Sequence, residues 1–179
     1  YHLFNVLFHW VSGLLVFLVA GRFLERTGTG GVVRHILAAF AAGVFLLHPV
    51  QTESVAYVAS RSEALSAMCF LGALALFLCR RREAVSWAVT AGVLLLFGAA
   101  VSTKEHTAAL PALLLFTDFF FGPGLRAIRR NWRLYASMAV AGALALRFVW
   151  KLLSTADTAG FAVKAVSYTH LTLPTKRIV

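Results

Sequence analysis

The stretches HILAAFAAGVFLL (residues 35–47), HPVQTESVAYVASRSEAL (48–65) and MCFLGALALFLC (68–79) place a His, a Gln, two Glu and an Arg between two apolar runs. Neither flank alternates with period two, and each is too continuously apolar to be the surface of a water-soluble domain. The rest of the chain follows suit. Hydrophobic residues make up 60% and charged residues 13%, with a mean hydropathy of +0.79, whereas a soluble domain carries roughly 25% charge. Hydropathy predicts six spans, near residues 2–21, 32–48, 63–79, 84–101, 107–121 and 134–152. The second and fifth are short for a crossing of roughly 20 residues and need tilted neighbours or protein cover. Only helices and closed barrels satisfy their backbone in hydrocarbon, and continuous apolar runs exclude a barrel. The expected fold is all-α, a polytopic transmembrane helical bundle.

A net charge of +10 suggests nucleic acid in a soluble protein, so the placement of the cations decides their meaning. Arg22, Arg26 and Arg34 follow the first predicted span, Arg80, Arg81 and Arg82 the third, and Arg126, Arg129, Arg130 and Arg133 the fifth. The intervening loops hold Arg61 and Lys104. Such alternation is the positive-inside pattern, which puts Tyr1, residues 48–62 and residues 102–107 on the outer or lumenal side. No nucleic-acid partner is implied. Cys69 and Cys79 share one predicted span and read as small apolar packing residues, silent about redox compartment. No initiator Met or signal pattern precedes the first span, so the chain is expected to be an internal fragment. Residues 1–165 form its membrane part. The remaining residues 166–179, VSYTHLTLPTKRIV, resemble the in-frame translation of a sequencing-library adapter and are expected to be a non-native tail without function.

Three polar groups collect on the outer side. His2, Asn5 and His9 recur at i, i+3, i+7 on one face of the first span, either bonding neighbouring helices or lining a wet cavity. Pro49 ends the next helix at His48, and a short amphipathic interfacial helix is predicted beyond it. On that helix Glu53, Tyr57 and Arg61 share a face, and Tyr57 joins the cavity-lining candidates. Glu63 lies at capping-box spacing from Ser60, which makes it a cap for the third span. In STKEHT (102–107), Ser102 and Glu105 have the same spacing, while Lys104, His106 and the N–H groups of a helix start suit a phosphate. Together these residues offer cations for a lipid phosphate and carboxylates for acid–base or metal work. Asp118, near the inner end of the fifth span, is expected to pair with a cytoplasmic Arg.

The segments YHLFNVLFHW, HPVQTESVAYVASRSEAL and STKEHTAALPALLLFTDFF, in this order, resemble the membrane part of the transmembrane and tetratricopeptide-repeat O-mannosyltransferases and their bacterial relatives. The likeness covers roughly residues 1–150. It implies a GT-C fold and transfer of a mannose-like sugar from a polyprenyl- or dolichyl-phosphate donor to a protein or glycan acceptor. The site would face the periplasm, from a bacterial inner membrane, or the lumen of the endoplasmic reticulum. The resemblance assigns His48 and Lys104, with Arg61 and His106, to the donor phosphate and sugar. It makes Glu53 and Glu105 the catalytic carboxylates, orienting a sugar hydroxyl or a divalent metal. The family's main base lies in its first outer loop; this chain begins at the second span, which places the base upstream of residue 1. A transporter or flippase of lipid-linked sugars is the alternative, and would favour charges deep in the membrane and repeated broken helices. A non-catalytic scaffold would be indifferent to loss of the outer charges.

Overall fold

The computed structural model describes residues 2–52, 61–80 and 84–155. Glu53, Tyr57, Arg81, Arg82 and the tail 166–179 lie outside them. Every regular element among the described residues is helical. In chain order these are α1 (His2–Arg26), α2 (Gly31–Leu47), α3 (Arg61–Leu78), α4 (Trp87–Thr103), a 3₁₀ turn (Glu105–Ala109), α5 (Leu110–Phe121), α6 (Leu125–Arg130) and α7 (Trp132–Thr155).

The boundaries have local causes. His48, constrained by the proline that follows, turns extended at φ −64°, ψ 129° and closes α2. Ser86 caps α4, its Oγ accepting the Val89 N–H at 3.3 Å. Pro111 sits in the first turn of α5, where its missing N–H costs nothing. Gly124 has φ +62°, a left-handed conformation that turns the chain into α6 without a side-chain clash.

All six helices foreseen from hydropathy are present at nearly the foreseen positions, but two of them, α1 over Leu3–Arg26 and α3 over Arg61–Leu78, are long and apolar enough to cross a membrane. α2 and α4 are apolar but have 17 residues each. At 1.5 Å per residue they reach roughly 25 Å, against a hydrocarbon core of about 30 Å. α5 has 12 residues.

The chain divides into two compact units, residues 1–139 and 140–179. In the second, residues 140–155 are helical and expose Val140, Leu144, Leu146 and Trp150. In the first, α3 is the central helix. It packs against α1, α4 and α5, while α1 also packs on α2. Small side chains permit this: Ala64, Ser66, Ala73 and Ala75 of α3 are buried, letting backbones approach where dispersion rather than hydrophobicity must hold helices together. Phe77, Leu110, Leu114 and Leu134 fill the centre without exposure. Outward, α1 and α2 present Leu3, Leu14, Ile36, Phe40 and Leu47, a surface suited to lipid.

The pairings also fix the running directions of the helices. Arg34 meets Glu25, Arg80 meets Asp118, and the Val85 N–H donates to Asn131, so the loops that carry the arginines gather at one end. Lys104 meets Glu63 at the other end. Where α5 ends, a Cβ on Gly122 would fall 2.5 Å from the Asp118 carbonyl oxygen, a backbone atom that cannot swing away. Gly122→Ala should therefore destabilise the protein by about 1–3 kcal/mol, read as a lowered unfolding midpoint in detergent. An unchanged midpoint would show that this turn has slack.

Candidate functional site

The end that carries Lys104 is built from three elements. Arg61 and Ser62 open α3, Thr103 closes α4, and Phe4 and Phe8 come from the first turns of α1. These residues, with Leu65, line a cleft of about 440 Å³. Its lining is mixed: two aromatic residues and a leucine beside an arginine, a serine and a threonine.

Lys104 stands at the break between α4 and the 3₁₀ turn. Its N–H still bonds the Ala100 carbonyl at 2.9 Å, and its own carbonyl accepts the Thr107 hydroxyl at 2.6 Å. The backbone is pinned on both sides and the side chain is directed to Glu63, with Nζ 2.5 Å from Oε1. That hydrogen bond to Glu63 is the main reason the Lys104 pKa is raised, with the Coulombic pull of Glu63 and Glu105 adding to it. Glu63 is a component that sequence reasoning missed. Its spacing from Ser60 signalled only a helix cap, and nothing local connects it with a lysine in a different loop.

The other candidates fall as follows. Glu105 and His106 project from the 3₁₀ turn and are exposed. Ser102 does not cap this turn, contrary to its capping-box spacing with Glu105. It lies in the last turn of α4, and the N-cap position belongs to Lys104, which makes no side-chain cap bond. His48 accepts the Val50 N–H on Nδ1 at 3.2 Å, closing the turn at Pro49. It lines an apolar groove of about 360 Å³ with Phe40 and Leu47, distinct from the Arg61 cleft. On α1, Asn5 is wholly buried. His9 reaches the Leu46 carbonyl through Nε2 at 3.2 Å and stacks on Phe45 at a centroid distance of 5.2 Å, joining α1 to α2. His2 is helical, but its side chain, like Glu53 and Tyr57, lies outside the described residues. The structure thus brings Arg61, Lys104 and Glu63 to one end of α3 and leaves His48 at the end of α2. Among the described residues no three His, Cys, Asp or Glu side chains converge as a metal site.

A second polar cluster lies at the opposite end. The Asp118 carboxylate accepts from Arg80 at 2.9 Å, Asn131 at 2.6 Å and Tyr135 at 2.7 Å. Arg80 also donates to the Phe77 carbonyl at 2.8 Å and lies 4.1 Å over the Phe77 ring. Asn131 uses its remaining oxygen for the Val85 N–H at 2.9 Å. The expected Asp118–Arg pair is present, with both side chains buried. With its groups bonded to one another and to backbone, this cluster has the character of a structural joint.

No protein-family model and no solved structure matches the chain. Curated proteins do. The chain is 39% identical over 118 residues to the Protein O-mannosyl-transferase Tmtc1 of Drosophila melanogaster, covering 64% of this chain and 12% of that protein. It is 32% identical over 150 residues to the Protein O-mannosyl-transferase Tmtc2 of Drosophila melanogaster, covering 80% of this chain and 15% of that protein. To the Protein O-mannosyl-transferase TMTC3 of Mus musculus it is 30% identical over 126 residues, covering 69% and 13%. The chain spans about an eighth of the length of the curated relatives it matches.

Proposed function

We propose that the chain is a piece of the membrane part of a protein O-mannosyltransferase of the kind named in these relatives. In this reading it belongs to a glycosyltransferase of GT-C type with six crossings here, the 17-residue helices tilting or sheltering behind α1 and α3. Tetratricopeptide repeats and the main catalytic base lie in other parts of the full protein. The observation that carries the proposal is the likeness to three proteins named O-mannosyl-transferases. It is supported by the gathering of Lys104 and Arg61 at the end away from the arginine-rich loops.

The donor is a mannose-like sugar on a polyprenyl or dolichyl phosphate, and the acceptor is a hydroxyl of a protein or glycan on the lumenal or periplasmic side. A carboxylate takes the acceptor hydroxyl proton, the oxygen bonds to the anomeric carbon, and the bond from that carbon to the phosphate oxygen breaks. The electron pair leaves with the phosphate. Two groups suit that growing charge: the Lys104 ammonium, paired with Glu63, and the Arg61 guanidinium at the cleft. Glu53 and Glu105 orient the sugar in this scheme, His106 and His48 assist at the phosphate, and Tyr57, His2, Asn5 and His9 border the cavity.

The test uses the full-length protein in proteoliposomes with polyprenyl-phosphate mannose bearing isotope-labelled sugar. Labelled mannose covalently attached to an acceptor protein is the expected product. Movement of the labelled lipid between leaflets without any attachment would favour the flippase reading instead. Neither activity, in protein shown to be folded, would favour the scaffold.

A further inference from the structure

Where the arginine-rich loops gather, α1 and α2 frame a second cleft, of about 190 Å³. Its walls are Phe17, Leu18 and Ala38, and its rim is polar: Arg22, Arg34 and His35, with Glu25 between the two arginines. Glu25 Oε2 accepts from Arg22 Nη1 at 2.9 Å and lies 3.3 Å from Arg34 Nη1. His35 bonds back to the Gly31 carbonyl through Nδ1 at 3.0 Å, and its Nε2 lies 3.4 Å from Arg34 Nη2. Two guanidiniums against one carboxylate leave an excess of one positive charge among the rim's Arg and Glu side chains. The Arg22 and Arg34 side chains remain 45% and 26% exposed, and Arg22 also hydrogen-bonds Cys79.

We propose that this cleft binds the phosphodiester headgroup of an anionic phospholipid. The single negative charge of a phosphodiester matches that excess positive charge. A guanidinium presents planar paired donors to phosphate oxygens, and an ion pair as exposed as Arg22–Glu25 contributes little that a phosphate must displace. Free phosphate is also an anion but has nothing to set against Phe17 and Leu18. A lipid does, because its first acyl carbons continue from the headgroup along that wall. Basic pockets between membrane helices are the expected place for anionic headgroups.

To test this, the full-length protein is reconstituted in nanodiscs of equal phosphatidylglycerol and phosphatidylcholine, and the retained lipids are counted by native mass spectrometry. Phosphatidylglycerol should be enriched, and enrichment should fall roughly fivefold per arginine removed in R22Q and R34Q. In R126Q/R129Q, on α6, it should persist. Equal retention of both lipids, or an equal fall in both sets of variants, would overturn the proposal, the latter because net charge alone would then explain it. Displacement of phosphatidylglycerol by millimolar inorganic phosphate would also overturn it in favour of a simple anion site. Should the substitutions disturb folding, the unaltered chain can be labelled with a photoactivatable phosphatidylglycerol. Label on peptides spanning residues 17–38 is expected, and label confined to other peptides would refute the site.

Discussion

Replacing Asp118 with alanine should destabilise the protein by about 3–5 kcal/mol, among the largest losses a single substitution can cause here. The carboxylate is 1% exposed and accepts from Arg80, Asn131 and Tyr135 together. Removing it takes the shared acceptor from a guanidinium, an amide and a phenol at once; Arg80 keeps the Phe77 carbonyl and Tyr135 the Leu114 carbonyl, but the buried Asn131 amide loses its acceptor and the guanidinium its counter-charge. The same geometry predicts non-additivity. Arg80→Ala alone should cost about as much, because it leaves the carboxylate buried without its counter-charge, whereas the double variant should cost well under the sum of the two. Tyr135→Phe, which removes one neutral donor, should cost only about 1 kcal/mol. Chemical unfolding of the protein in detergent, followed by circular dichroism, measures all four. An Asp118→Ala loss under about 1 kcal/mol would mean that the joint is open to water and does not hold α3, α5 and α7 in place.

In the full-length protein, Lys104→Ala should lower the rate of sugar transfer by about 100- to 1,000-fold, the scale of losing one charge-stabilising group from a transfer site. Lys104→Arg should recover part of this, because the positive charge returns with a different shape. Glu63→Gln should cost less, roughly tenfold or below, since it loosens the lysine without removing it. Its signature should lie in pH dependence. Glu63 is what raises the Lys104 pKa, so with glutamine there the pKa falls toward the ordinary lysine value and loss of the ammonium begins at lower pH. The alkaline limb of the rate profile should therefore shift downward in Glu63→Gln and be absent in Lys104→Ala. Normal turnover in Lys104→Ala would remove Lys104 from the donor site. An unshifted alkaline limb in Glu63→Gln would show that the Glu63 contact has no part in the reaction.

Much of the architecture follows from short-range chemistry and was legible in the residues themselves. Apolar runs without period two dictate helices, the proline after His48 ends α2, and the arginines of alternate loops foretell an antiparallel order with the cations at one end. An inner Arg was foreseeable as the partner of Asp118, since a carboxylate among apolar residues must be compensated somewhere. Tertiary structure decided which groups meet. Arg80 is 38 residues from Asp118, Lys104 is 41 residues after Glu63, and Asn131 serves both Asp118 and the Val85 N–H. No periodicity or cap rule reaches across such separations. Capping spacing even misled at Ser102, because α4 runs two residues further than that pattern allows and passes the N-cap position to Lys104. Sequence determined that this chain is helical and which end is basic, because those are sums over local propensity and charge. The ion pair at one end and the buried joint at the other required the packing of α3 among its neighbours, where side chains distant in sequence converge.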